Sequence, residues 1–564
     1  MRDQVLRIPG VAQVELFGGS DYSMRIWLRP DRMGQLGLTP ADVISAIKEQ
    51  NLQAPAGQVG AAPSPKNQEF TYTVRAPGRL VDAEEFNNII LRQTQTGSQI
   101  RIKDVGRVEL GAENYKSFGR LDGQPAGIMA VYLLPGANQL QVASSIYETM
   151  AKSKELFPPD MDYKIVYDTT PAVKASIEGI VHTFVEAVIL VTIVVFVFLQ
   201  NFRATLIPLL TVPVSLIGAF IFFPMLGFSV NTLSMFGLVL AIGIVVDDAI
   251  VVVEAVMHHI EHGMSPKDAT IQAMKEVSGP VVGIALILSA VFIPVAFLGG
   301  LTGRMYQQFA LTIAIAVLIS AFNALSLAPA LCAMFLRPPK PARGPLGKFF
   351  GWFNNGFERS TTGYVAVSRL LVRRSVLSIL IIAAVVVGAG LFGSALPAGF
   401  VPEEDQGVFS INVQLPPGAS LDRTSAVLAK IEGILAKTEG VDSYNAIGGY
   451  GILTSSFQPN FGSFFVRLKP WDERTSKQLH VLGVMATLQR DLSQISEAVA
   501  FPFNLPTISG FGAAGGFNFL LQDRSGTLSV QQLGEQAQRF LEAARKRPEL
   551  ANLFTSFNPN YPQV

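Results

Sequence analysis

The sequence predicts an α-helical membrane bundle of six spans that carries extracytoplasmic α+β domains of βαβ type. Three observations lead there. The composition is too apolar for a water-soluble chain, six apolar runs cluster in the middle, and strand–helix–strand patterns stand on both sides of them. Hydrophobic residues make up 49% of the 564 and charged residues 15%, whereas soluble domains carry about 25% charged residues. Net charge is +1, so no global field points to nucleic acid or acidic partners. The single cysteine, Cys332, excludes an intrachain disulfide and a cysteine-built metal site. The opening MRDQVLRIPGVAQ has no apolar core and does not read as a signal peptide.

The runs at 180–199, 204–228, 233–256, 281–298, 309–336 and 376–396 are each long enough to cross a bilayer. Pro208, Pro213, Pro224, Pro294 and Pro329 lie in or near them, which membrane helices tolerate when neighbours satisfy the freed backbone groups. Charge sets the orientation. The link between the fifth and sixth runs carries Arg337, Lys340, Arg343, Lys348, Arg359, Arg369, Arg373 and Arg374 against the acid Glu358, which marks the cytoplasmic side. Arg203, after the first run, agrees. By parity both soluble blocks face outward. The first of them then needs an upstream span for export, so Met1 is expected to be an internal methionine or a fragment boundary.

In the first block AGIMAVYLL reads as a strand, NQLQVASSIYETMAKSKEL as a helix and YKIVYDT as a strand. In the second, VFSINVQL, SLDRTSAVLAKIEGILAK and DSYNAIGG repeat the pattern. Both turn through a matching signature, Leu134-Pro135-Gly136-Ala137-Asn138 and Pro416-Pro417-Gly418-Ala419-Ser420. Proline and glycine break the strand there, and Asn138 or Ser420 caps the helix. Such a repeat suggests internal duplication. Between Arg25 and Gly111 an inserted α+β subdomain is expected, with a helix start at Thr39-Pro40-Ala41-Asp42.

The chemistry concentrates in the third run, GLVLAIGIVVDDAIVVVEAV. Asp247 and Asp248 sit near its middle, and an acid at bilayer depth is functional by default. Adjacent helical residues point about 100° apart, so the two cannot both face one neighbour. They are expected to titrate as a coupled unit. The runs hold no lysine or arginine at depth; Glu186 is another acid, and Asn231 and Asn323 are neutral. A balancing base must come from helices outside these six. His258, His259 and His262 follow the third run and read as an interfacial turn rather than a metal site. FFGWFNNGF (349–357) reads as an amphipathic anchor lying in the cytoplasmic interface.

The segments NFRATLIP (201–208), NTLSMFGLVLAIGIVVDDAIVVVE (231–254), LAPALCAMFL (327–336), FVPEEDQGVF (400–409) and FPFNLPTI (501–508) resemble the resistance–nodulation–division transporters, in their hydrophobe/amphiphile efflux branch. The resemblance spans essentially the whole chain. It implies a proton/drug antiporter rather than an enzyme, with the proton as coupling ion and no other cofactor or metal. It implies a homotrimer in the inner membrane of a Gram-negative bacterium, surrounded by lipid. A periplasmic adaptor and an outer-membrane channel are the implied partners, and drug-like small molecules the cargo.

The family's acid pair maps onto Asp247 and Asp248; its basic partner lies on a tenth helix that this chain lacks. The implied domains are a porter subdomain at 1–20 and 112–172, a channel-docking subdomain at 21–111, five spans in 173–336, a cytoplasmic link at 337–375, a span at 376–396, a porter subdomain at 397–510 and part of another at 511–564. Phe17, Asn114, Tyr167, Ile447, Tyr450 and Phe465 fall where the family lines a deep drug pocket, and Phe501 and Phe503 near its entry pocket. GGYGILTSSFQPNFG (448–462) resembles the family's switch loop, through Gly449, Gly451 and Phe457, with fewer phenylalanines than is usual; Lys116 and Asn445 are polar substitutions nearby. Two alternatives are a truncated, non-transporting fragment and a metal exporter of the same superfamily. The paired acids and scattered methionines argue against the second.

Overall fold

The computed structural model describes every residue except 54–56, 75–77, 94–96, 339–343, 397–403, 507–511, 513, 518, 551–552 and 560–564. Lys340 and Arg343 of the basic link, and parts of the segments at 400–409 and 501–508, lie outside the described residues. The chain forms two compact units, Thr170–Glu403 and Met1–Thr169 with Glu404–Val564.

The first of these is helical. It contains α1 (Thr170–Leu199), α2 (Phe202–Ala219), α3 (Thr232–Glu261), α4 (Pro266–Phe292), α5 (Gly300–Leu325), α6 (Leu327–Phe335), α7 (Pro345–Arg373) and α8 (Ser375–Ala395). Among the described residues, six stretches are long and apolar enough to cross a membrane, and they correspond one to one with the six runs. Helix α1 begins well before position 180, because hydropathy marks only the lipid-facing part of a helix. Its backbone ladder continues through Lys174 and Glu178, which form an i,i+4 pair. Asn231 caps α3 and Ser265 caps α4 by accepting from backbone N–H groups.

Helix α3 is the axis of this unit. Val252, Val256 and Ile260 pack with Ala204 and Ile207 of α2, Ala273 and Val281 of α4, Ile313 and Val317 of α5, and Cys332 of α6. Small residues bring the backbones close: a Cβ on Gly237 would lie 3.0 Å from the Phe309 carbonyl oxygen. Helix α7 contains the stretch at 349–357. Phe353 and Phe357 stack edge-on against Phe198 at 5.4 and 5.7 Å, and the Gln200 amide donates to Asn354 Oδ1. No residue of α8 is buried.

The other unit is built on sheets. Among its strands are β1 (Val11–Phe17), β2 (Tyr22–Leu28), β3 (Gly106–Ala112), β4 (Phe118–Leu121), β5 (Gln124–Pro125), β6 (Ile128–Leu133), β7 (Val408–Gln414), β8 (Val441–Gly451), β9 (Ser456–Leu468) and β10 (Val499–Phe503). A six-stranded sheet runs β10-β7-β9-β8-β4-β5. Helix Leu421–Leu435 connects β7 to β8, and helix Val481–Leu492 connects β9 to β10. The first four positions are therefore two interlocked split β-α-β units, the ferredoxin-like arrangement. Strand β4 adds from the other end of the chain, with Gly448 opposite Phe118 and Asn445 opposite Leu121. The Arg120 guanidinium seals that junction by donating to Glu432 Oε1 at 3.0 Å and to Ser425.

Both Pro-Gly signatures do what their residues predict. Gly136 and Gly418 take positive φ of 81° and 82°, and Asn138 and Ser420 then cap the following helices. One expected strand is absent: YKIVYDT has no ladder partner among the described residues. It is held by side chains instead, with Val166 buried, Lys164 paired with Asp122, and the Ile165 carbonyl accepting from Arg467. Between β2 and β3 stands a cluster of short helices and strands. Strands β2 and β3 pair at its base, with Arg25 opposite Glu109. A separate core of Met33, Leu38, Val43, Phe86, Ile89 and Ile102 fills it, and Thr39 and Asp42 form a capping box.

Asp405 ties β7 to helix Val481–Leu492. Its oxygens accept two hydrogen bonds from Arg474, at 2.8 and 3.1 Å, and one each from the Val481 and Gly407 backbone N–H groups. Burial alone would push this carboxyl up; the Arg474 guanidinium and the two backbone donors outweigh it and hold the group below its usual 3.8. The folded value is depressed, so the stabilisation is present above the unfolded value and is lost as pH falls through the folded one. Asp405→Asn should cost about 3 kcal/mol by leaving Arg474 buried and unpaired. Denaturant titration of wild type and variant from pH 7 to pH 3 checks this, with the gap between them closing at the acid end.

Candidate functional site

Two groups of residues qualify. The first lies inside the helical unit. Asp247 and Asp248 are adjacent on α3, and the helical turn sends them to different surroundings. Asp248 is buried at 3% exposure, facing α5. Asp247 is exposed and belongs to a stripe at helical spacing with Phe236, Leu240, Gly243 and Glu254. The six helices thus enclose one carboxylate and leave the other on an open face.

The partner of Asp248 is Ser320 on α5. Its hydroxyl stands 2.7 Å from Asp248 Oδ2 and 3.0 Å from the Val245 carbonyl oxygen. A serine has one O–H donor and two acceptor lone pairs. When Asp248 is ionised, Ser320 donates to it. When Asp248 carries a proton, the acid donates to Ser320 Oγ, and Ser320 is free to donate to Val245. Each protonation state has its own satisfied pattern. A separate polar ladder starts one turn further along α5: the Asn323 amide donates to Ser215 Oγ at 2.8 Å, Ser215 to the Thr211 carbonyl, and Thr211 to the Pro208 carbonyl. The side chains of Ser320, Asn323, Ser215 and Thr211 are all buried among aliphatic residues. Of them, sequence reading singled out only Asn323. Serines and threonines in an apolar run carry no distinguishing signal, because helix carbonyls satisfy their hydroxyls equally well elsewhere.

Among the described residues no lysine or arginine lies within ion-pairing distance of either acid, and no group of three or more His, Cys, Asp or Glu side chains is placed to hold a metal. His259 bonds Glu276 at 3.2 Å, and His262 bonds the His258 carbonyl. Glu186 is exposed beside His182, and Asn231 is used in the α3 cap.

The second group is aromatic and lies in the sheet unit. Strand alternation creates it. Phe409, Ile411, Phe464, Val466 and Ala446 point to the helical side of the sheet and form its core. Phe465 and Ile447 have the opposite parity and present the other face. There Phe17 of β1 packs with Ile447, Tyr450 and Ile452, and Phe465, Phe503, Ile128 and Ala130 pack around them. Phe17 lies 4.7 Å from Tyr450 and 6.0 Å from Phe457 between ring centroids, and Tyr450 lies 5.1 Å from Phe457. Tyr167 packs against Phe465 with ring centroids 5.2 Å apart and the planes tilted by 50°.

The structure therefore gathers Phe17, Ile447, Tyr450, Phe457, Phe465, Phe503 and Tyr167. It places Phe501 one strand alternation from Phe503, at 6.3 Å, and 5.2 Å from Phe554. Asn114 is not in the cluster; it sits in the exposed turn after β3, bonded to Ser20 and to the Lys116 backbone. Ile452, Ile128, Ala130, Glu15 and Tyr132 are members or close neighbours that sequence reading missed. Strand register could have found Glu15, two residues before Phe17 on one face.

The segment at 448–462 is a continuous β-hairpin rather than an irregular loop. Tyr450 pairs with Phe457 and Gly451 with Ser456, after a bulge between Gly448 and Tyr450. Gly449 holds a φ of 83°, and a Cβ there would come within 2.1 Å of the Lys116 carbonyl oxygen. Glycines suggest a loop, but here they let β8 bend and approach the Lys116–Phe118 segment.

A family model described as AcrB/AcrD/AcrF matches residues 1–564. The multidrug resistance protein MdtF of Escherichia coli is 41% identical over 563 residues, covering 99% of this chain and 54% of MdtF. The multidrug/solvent efflux pump membrane transporter MepB of Pseudomonas putida is 42% identical over 565 residues, covering 99% and 53%. The multidrug export protein AcrF of Escherichia coli is 42% identical over 552 residues, covering 97% and 53%. The chain spans about half the length of the curated relatives it matches. With a family match across its full length, and an intramembrane acid pair and an aromatic cluster in place, the chain belongs to the AcrB/AcrD/AcrF family of resistance–nodulation–division efflux transporters.

Proposed function

We propose that this chain serves proton-driven export of hydrophobic or amphiphilic drug-like molecules across a bacterial inner membrane, with Asp247 and Asp248 carrying the proton and the aromatic cluster carrying the cargo. The observation behind the proton role is the split environment of the acid pair. Asp248 has an internal hydroxyl partner for each protonation state, and Asp247 faces outward from the six helices. A proton shifts a conformational equilibrium only if it interacts differently with the two states. Asp247 supplies that difference by engaging a lysine or arginine from outside these helices when ionised and releasing it when neutral. Ser320 lets Asp248 follow without leaving a bare charge in hydrocarbon.

In the cargo role, the cluster buries the faces of an aromatic or aliphatic molecule. Its rings touch one another, so entry requires them to part. Phe457, near the hairpin end and 43% exposed, is the ring best placed to move. The relatives' names support export of drugs and solvents. A homotrimer working with a periplasmic adaptor and an outer-membrane channel completes the proposal, with the 337–374 link in the cytoplasm and both soluble blocks in the periplasm. A metal-exporting role finds no support in the aromatic cluster.

Three outcomes test this reading. In the full-length transporter, Asp247→Asn and Asp248→Asn should each abolish uncoupler-sensitive drug efflux while the protein still reaches the membrane; unchanged efflux in either variant contradicts the relay. Ser320→Ala should cut efflux several-fold, Ser320→Thr should restore most of it, and a loss of equal size in Ser320→Thr would reduce Ser320 to a packing role. In a Cys332→Ser background, a membrane-impermeant maleimide should label a cysteine at position 57 in intact spheroplasts and one at position 359 only after lysis. The reverse pattern overturns the orientation.

A further inference from the structure

We propose that Glu15 makes the aromatic cluster selective for cationic amphiphiles, its carboxylate and the surrounding ring faces together forming a seat for an alkylammonium or pyridinium group. The inference rests on the reading of that cluster as the cargo site.

Glu15 and Phe17 project from the same face of β1. Glu15 stands opposite Ala130 and Phe17 opposite Ile128, and both partners pack into the cluster. The Tyr132 hydroxyl, from the next alternation of β6, lies 3.5 Å from Glu15 Oε2. The Tyr132 phenol is pushed up to about 12, by burial first and by the Glu15 carboxylate next, with Tyr450 and Tyr167 contributing. Burial also raises the Tyr450 phenol, and Glu15 adds to it against the hydrogen bond of Ser455. Tyrosines on two sides of the cluster thus sense one negative charge and stay neutral beside it.

Among the described residues, no Lys, Arg or His nitrogen lies within 4.0 Å of the Glu15 carboxylate. Two other acids enclosed in the sheet unit are paired with arginines: Asp405 with Arg474 at 2.8 Å, and Glu432 with Arg120 at 3.0 Å. Glu15 is instead half-buried against aromatic surface, where a carboxylate is poorly compensated. The ring faces of Phe17, Tyr450 and Phe457 carry negative quadrupole density, and a cation over them gains from the rings as well as from the carboxylate. A neutral molecule of the same shape gains ring burial alone, and an anion is repelled.

The test uses the purified full-length transporter in detergent and two fluorescent probes of one shape at pH 8: 4-(4-dimethylaminostyryl)-N-methylpyridinium, a permanent cation, and its neutral parent 4-(4-dimethylaminostyryl)pyridine. Glu15→Gln should weaken the cation about tenfold and leave the neutral probe within about twofold; Glu15→Asp should retain most of the cation affinity. In wild type, added salt should weaken the cation more than the neutral probe, a readout independent of any variant. Equal responses of the two probes, to salt and to Glu15→Gln, overturn the inference. Phe17→Ala separates it from the reading beneath it. If Phe17→Ala weakens both probes while Glu15→Gln spares both, the cluster binds cargo and the charge selectivity is wrong. If Phe17→Ala changes neither probe, the cargo site itself is misplaced and both fall.

Discussion

A carboxyl group surrounded by aliphatic side chains must be neutral, paired or hydrogen-bonded, and the helical unit is organised around that requirement at Asp248. Ser320 is delivered to it by the close packing of α5 on α3, which in turn depends on glycine and alanine at the contact. The polar ladder of Asn323, Ser215 and Thr211 extends the same solution to α2, so that three helices share buried hydrogen bonds across their interfaces. Apolar packing alone specifies helix register weakly in lipid, where the surroundings are as apolar as the contact; these bonds narrow it. Among the described residues Asp247 has no such internal answer, which makes it the acid of the pair open to an external partner.

The sheet unit meets a related constraint with different means. Its buried acids, Asp405 and Glu432, are each locked to an arginine, and each lock joins elements distant in sequence. Arg120 and Glu432 fasten the early strand β4 to a sheet otherwise built from the second soluble block. Because β4 and β8 are adjacent, Gly448 and Gly449 must lie against the Lys116–Phe118 segment, and a side chain at either position would collide there. The hairpin that carries Tyr450 and Phe457 is therefore anchored at its base, with Phe457 exposed near its tip. Glu15 stands apart from these locks. An acid left without an arginine, beside rings, is the arrangement expected where the positive partner is a transient ligand.

Much of the architecture was legible in the residues. Six helices follow from runs of apolar residues that a bilayer requires. The caps at Asn138, Ser420 and Thr39 follow from local hydrogen bonding that needs no tertiary partner. Asp247 and Asp248 stand out because the cost of an acid in an apolar helix is a property of the sequence window itself. Tertiary structure decided the rest, because those features depend on segments meeting. YKIVYDT has strand composition but no ladder partner among the described residues, and pairing is a property of two segments. The segment at 448–462 has loop composition but is a hairpin, since β9 and β4 satisfy its backbone. Which acid faces inward, which serine answers it, and which carboxylate stands unpaired among tyrosines were set by helix rotation and strand register, and neither is encoded within a single segment.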